Sequence, residues 1–240
     1  MGNQDVALKS MLGSARFKTY FDAAAGDQDR AVELYLWTSE LAGAFHAHLS
    51  YVEVGVRNAI DRELRVWNLA EMGTEDWTLD RQTGKDVYEL LRRPLFTARD
   101  WAAREERERP ATHSRIGLGV CHDDVVAQLM FGAWVKLLRP MSVSEGSARQ
   151  KRLWTAAISR AFPNAPADES GRAVIGRHLE RLRRVRNRVA HHDNLLGVDT
   201  KKRVRESLVL LAAIDSRYPQ YAMARSTLRT IANDDPRLNW

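Results

Sequence analysis

"QDRAVELYLWTSELAGAFHAHLSYVEVGVRNAIDRELRV" occupies residues 28–66. Its apolar residues Leu34, Leu41, Phe45, Leu49, Val52, Val56, Ala59 and Ile60 follow a helical period and trace one stripe. No proline interrupts the run, and its glycines, Gly43 and Gly55, are tolerated in a helix at some cost. The run follows "GD" at 26–27 and reads as one long helix or two nearly continuous ones.

The rest of the chain also reads as helical, because alternating β-branched runs are scarce and Gly and Pro fall between periodic segments. Residues 67–81 read as a loop carrying two tryptophans. Residues 83–93 and 95–108 read as two shorter helices separated by Pro94, the second charged enough to face water. After a connection at 109–122, Asp123 is the expected N-cap of "DVVAQLMFGAWVKLL", which stops before Pro140. "QKRLWTAAISRAF" and an arginine-rich helix follow, and 199–233 supplies one or two amphipathic helices. The expected fold class is all-α, one compact domain over 1–240, with 67–122 a candidate insertion.

Composition narrows the function classes. The 240 residues are 44% apolar and 28% charged, as in a soluble globular protein. The most apolar region is interrupted by charges and too short to span a bilayer, and the N-terminus has no hydrophobic signal core. Val6 stands where a myristoylation signal needs Ser or Thr. The single cysteine, Cys121, excludes an internal disulfide framework and a cysteine-based zinc site. A cytoplasmic location without membrane contact is the expectation. The formal net charge of +6 is mild, but six arginines and one acidic residue fall between Arg177 and Arg188. Arginine binds phosphate bidentately, so this cluster fits either a phosphate-backbone contact or a solvated helix face.

That cluster belongs to "RLRRVRNRVAHHDNLL" at 181–196. On a helical wheel Ile175, Leu179, Leu182, Val185 and Val189 share one apolar stripe, and Arg186 falls inside it. Arg181, Arg184 and Arg188 lie on the polar side, where they are candidates for RNA binding. Arg186 must therefore enter a packed interior or meet another subunit or a ligand. A buried guanidinium needs a partner, since an unpaired buried charge costs several kcal/mol. Three groups could serve: Glu53, Asp193 or a phosphate. Asn187 and His191 are spaced i, i+4 and share a face, and an imidazole suits acid–base work at neutral pH. His192, one residue on, is the alternative histidine. Glu53 and Arg57 form an i, i+4 pair whose expected role is an intrahelical salt bridge. No histidine spacing fits a metal site; His46 and His48 are not on one face, and His113, His122 and His178 have no nearby ligand pattern. No metal and no cofactor is expected.

"RNRVAHH" resembles the Arg-x(4–6)-His motif of the HEPN superfamily, all-α domains that include metal-independent endoribonucleases. The similarity is closer to the Abi-like (abortive infection) branch. "GDQDRAVELYLWTSEL", "YVEVGVRNAIDREL", "LMFGAWVKLL" and the "LW" of "KRLWTAAI" are similar to its other landmarks, in order, over about residues 20–196. Thr38 departs from that pattern, which often has Asn there.

The resemblance implies a HEPN-like helical bundle with additional helices. It casts Arg186, Asn187 and His191 as the catalytic set, with His192, Glu53, Arg57 and Asp193 as second-tier members. It further implies an endoribonuclease toxin or phage-defence effector, a homodimer joining two motifs across a cleft, and restraint by a protein or RNA antitoxin. A non-catalytic RNA- or nucleotide-binding module, or a scaffold that docks a partner, is the alternative.

Overall fold

The computed structural model describes residues 3–142 and 145–240, with side chains described from residue 7 onward. Among these residues the secondary structure is entirely helical. In chain order the helices are α1 (Asn3–Leu12), α2 (Ser14–Ala23), α3 (Gln28–Met72), α4 (Lys85–Arg107), α5 (His122–Gln128) and α6 (Phe131–Leu138). They continue as α7 (Ala148–Ala156), α8 (Glu169–Ala190), α9 (Thr200–Ile214), α10 (Tyr218–Met223) and α11 (Leu228–Asn233). Single 3-10 turns lie at Ile158–Ala161 and Pro236–Asn239.

The axis of the fold is α3, one unbroken helix of 45 residues. Asp27 caps its start by accepting from the Arg30 N–H at 3.0 Å. Gly73, in the left-handed region at φ 76, ends it by donating to the Leu69 carbonyl. Every residue of the apolar stripe from Leu34 to Ile60 is buried. Along its length α3 packs against α2, α6, α8, α9, α10 and α11. One continuous core joins α3 to α4, α6, α8 and α9, and includes Trp77, Trp134 and Trp154. A smaller cluster of Phe17, Tyr20, Ala24, Ala31 and Leu34 fastens α2 to the start of α3.

Four local expectations are corrected. First, α3 runs to Met72, so residues 67–72 are helix rather than loop. Asn68 explains this. Wholly buried, its amide donates to the Thr74 and Gln82 carbonyls, both at 2.9 Å, and its oxygen accepts from the Gly84 N–H at 2.8 Å. The last turn of α3 thus acts as the template on which residues 73–84 fold. Second, Pro94 does not divide α4. A mid-helix proline costs about 3 kcal/mol. Leu90, Leu91 and Leu95 are buried on one face, and each contributes roughly 1.5–3 kcal/mol, enough to hold both halves in line. Ala98 and Ala102 extend that buried face beneath the charged residues.

Third, the apolar run after 122 breaks at Leu129 and Met130, whose ψ values of 119 and 153 are extended. The two pieces serve different partners: α5 lies on α4, whereas α6 is buried among α3, α4, α7 and α8. The cap lies at Cys121 instead of Asp123, and Asp124 accepts from its backbone N–H at 2.9 Å. Fourth, residues 199–233 form three helices, α9 to α11, instead of one or two. Residues 67–122, the candidate insertion, contribute Trp77, Val87, Leu90, Leu91, Leu95, Ala98 and Ala102 to the main core.

Candidate functional site

The arginine-rich helix is α8, whose register is set at both ends. Asp168 accepts from the N–H groups of Ser170 (2.9 Å) and Gly171 (3.3 Å) at its start. Gly171 is pressed against the preceding loop: a Cβ there would lie 1.7 Å from the Pro166 carbonyl oxygen. Gly171→Ala is therefore expected to cost about 2 kcal/mol as overpacking, read as a lower denaturation midpoint. Along the helix, Ile175, Leu179, Leu182, Val185 and Val189 are buried, as the wheel requires.

The arginines are mostly engaged. Buried Glu180 accepts from Arg183 at 2.8 Å and from Arg184 at 2.9 Å; burial would raise its pKa, but these two guanidinium groups more than reverse that and hold it below the usual value. Arg181 pairs with buried Glu206 of α9 at 2.6 Å, and Arg188 with Asp193 at 3.0 Å. Of the three expected RNA contacts, each thus holds a carboxylate, though the Arg184 side chain remains 73% exposed.

Arg186 does not enter a packed interior, contrary to one branch of the wheel argument. Its side chain is 35% exposed and meets Glu53 of α3 at 3.5 Å. Glu53 is thereby the partner among the three considered, and Asp193 is taken by Arg188. The expected Glu53–Arg57 salt bridge does not form; Arg57 donates to Asn58 at 3.2 Å. The reason is geometric: α8 crosses α3 beside Glu53 and offers its carboxylate the Arg186 guanidinium, which Arg57 does not displace.

Helix α8 ends in a Schellman motif. The His192 N–H donates to the Val189 carbonyl at 3.2 Å and the Asp193 N–H to the Arg188 carbonyl at 2.8 Å. An apolar contact often spans the ends of this motif; here the Arg188–Asp193 ion pair does so. His191 is the C-cap and exposed, and among the described residues neither it nor half-buried Asn187 gives its side chain to a partner. His192 takes the left-handed position, with φ 51, usually occupied by glycine. That backbone carries it into a cleft of about 750 Å³ between α1, α2, α3 and the end of α8, where Asp193 and His46 also line the wall. The motif is therefore divided: Arg186, Asn187 and His191 stand at the α8 surface, and His192 lines the cleft.

Left-handed backbone costs a non-glycine residue about 1 kcal/mol. His192→Gly is expected to raise stability by roughly 0.5–1 kcal/mol, since glycine relieves that strain at some entropic expense. A denaturant midpoint that fell instead would mean that the imidazole makes contacts stabilising the fold.

Sequence spacing gives no sign of His46 beyond its poor fit to a metal site, nor of Arg16 and Tyr35 in the same cleft. Likewise His122 finds Asp61 at 2.8 Å and Asp76 at 2.9 Å, carboxylates far from it in sequence. Among the described residues no group of three His, Cys, Asp or Glu side chains is arranged to hold a metal ion. Among the described residues no helix is long and apolar enough to cross a membrane. Compared with protein-family models, curated proteins and solved structures, the chain matches none.

Proposed function

We propose that the protein is a metal-independent endoribonuclease of the HEPN type, acting as a toxin or phage-defence effector. The observation that carries the reading is the end of α8: a half-exposed guanidinium fixed by Glu53, next to an amide and an imidazole with no protein partner. A carboxylate-anchored arginine beside an unengaged histidine suits a group that must meet a phosphate diester. The ribose 2′-oxygen attacks the adjacent phosphorus as the bond to the 5′-oxygen breaks. His191 takes the 2′-hydroxyl proton while water protonates the departing 5′-oxygen, or protonates that oxygen while water accepts the 2′-hydroxyl proton. Arg186 stabilises charge on the phosphoryl oxygens, and Asn187 orients the diester. The products are a 2′,3′-cyclic phosphate and a 5′-hydroxyl, so atoms and charge balance without a redox partner. A second copy of the chain, placing two such helix ends together, is the proposed assembly.

The test is incubation of the purified protein with total RNA and with a tRNA pool in EDTA, followed by end-group analysis. Fragments with 5′-hydroxyl ends are expected. RNA bound but left intact would replace the nuclease reading with that of a binding module. Binding of either kind should weaken steeply with salt.

A further inference from the structure

The cleft beside His192 departs from stability in two places. His192 holds left-handed backbone at φ 51. Gly43 sits in the interior of α3 and lines the same cleft, yet a Cβ there would meet nothing within 4 Å. Neither close packing nor a turn requires glycine at 43, and helix propensity disfavours it. Unrelieved local costs that converge on one concavity mark a site kept open for another purpose.

The lining suggests what enters. Arg16, His46 and His192 reach the cleft from α2, α3 and the α8 terminus, all exposed and none with a side-chain hydrogen bond or ion pair among the described residues. Asp193, the carboxylate on the wall, is held by Arg188. Half-buried Tyr35 supplies a ring, braced edge-on by buried Tyr20 with centroids 5.4 Å apart and planes at 88°. A guanidinium, two imidazoles with N–H groups to donate, an aromatic ring and an open strip of helix backbone form a pocket for a phosphate joined to a flat ring. The volume is that of a small-ligand site.

We propose that this cleft is a nucleotide subsite, in which Arg16, His46 and His192 hold a phosphate while the base lies against Tyr35 and over Gly43. The inference deepens the ribonuclease reading and rests on it for the choice of a nucleotide. It would place one RNA residue a short distance along the strand from the diester at Arg186 and His191, and so govern which sequence is cut.

Deoxyadenosine 5′-monophosphate, which lacks a 2′-hydroxyl and contains no diester to cleave, is the probe. Titrated into the full-length protein and followed by nuclear magnetic resonance, it is expected to shift the amides of Gly43, His46, Ala190 and His192. Arg16→Ala and His46→Ala, at exposed positions, should each weaken binding about tenfold, equivalent to about 1.4 kcal/mol. Gly43→Leu fills the open space and should abolish binding without lowering the melting temperature. Shifts confined to Arg177 and Arg184, unchanged affinity in all three variants, or equal binding of hexaglutamate would overturn the proposal. The two readings fail separately. Cleavage of RNA with KM unchanged in Arg16→Ala and His46→Ala would remove the subsite and leave the nuclease. Binding of the deoxynucleotide in the cleft by a protein that cuts no RNA would do the reverse.

Discussion

Alanine at position 186 is expected to lower RNA cleavage about a thousandfold while changing folding stability by less than about 1 kcal/mol. The two effects separate because the proposed catalytic task of Arg186 is distinct from its ion pair with Glu53. Its ion pair with Glu53 is 3.5 Å long, and the side chains are 35% and 27% exposed. Pairs so accessible to water contribute little to folding. Removing one donor that stabilises transition-state charge, by contrast, costs roughly 10²–10³ in rate. Arg186→Lys sharpens the distinction, since lysine keeps a charge opposite Glu53 but lacks the planar fork that grips two phosphoryl oxygens. It should leave stability unchanged and still depress cleavage about a hundredfold. His191→Ala should lower the rate by roughly 10²–10⁴ as a lost acid–base group. The comparison requires kcat, KM and urea denaturation of each variant. If Arg186→Ala cut RNA normally but lost several kcal/mol of stability, its role would be the ion pair with Glu53.

His122→Ala is expected to cost about 3–5 kcal/mol, because it leaves two carboxylates without the cation between them. The imidazole links three separate parts of the fold. From the first turn of α5, Nε2 bonds Asp61 of α3 at 2.8 Å and Nδ1 bonds Asp76 of the 73–84 connection at 2.9 Å. Trp77, wholly buried, donates to Asp61 at 2.8 Å, and its ring meets that of His122 at 5.7 Å, nearly perpendicular. Burial alone would lower the His122 pKa, but hydrogen bonds to Asp61 and Asp76 more than reverse this and raise it to about 9. Burial would raise that of Asp76, yet bonds from His122 and Thr78 take it down to about 2.

The pH dependence follows from these directions. A histidine with a folded pKa above its ordinary value of 6.5 contributes fully below 6.5 and loses that contribution as pH rises through about 9. The amount at stake is about 3 kcal/mol. For Asp76 the contribution is present above its ordinary 3.8 and is lost as pH falls through about 2. Both shifts describe one interaction and are not summed. Urea unfolding between pH 5 and 10 should therefore show wild-type stability declining above pH 6.5, and His122→Ala should flatten that decline. A parallel decline in both proteins would show that the histidine is not the charged centre of the cluster.

Much of the architecture is legible because helix periodicity is local. The stripe from Leu34 to Ile60 and that from Ile175 to Val189 are buried where the wheel places them. The failures are also instructive. Pro94 breaks a helix in isolation, but three leucines packed on one face of α4 hold it straight. No local feature interrupts 123–138 strongly enough to reveal the bend at Leu129 and Met130, which lets α5 and α6 reach different neighbours. At the candidate site, Arg186 is conspicuous on its own helix, and Glu53 is one of the three partners that could serve it. The 3.5 Å pairing required α3 and α8 to cross at that point. His46 gave no signal, since its significance depends on Arg16 and His192 arriving at the same cleft from other helices.

The amino-acid sequence by itself determined the all-helical class, the buried stripe of α3, the buried face of α8 and the anomalous placement of Arg186. All of these follow from a repeat of about 3.6 residues acting between near neighbours. Tertiary structure alone decided which carboxylate holds Arg186, how His122 bridges Asp61 and Asp76, and that His192 turns into a cleft with His46. Those outcomes depend on where helices cross, and crossing is set by the packing of side chains distant in the chain, for which no local period exists.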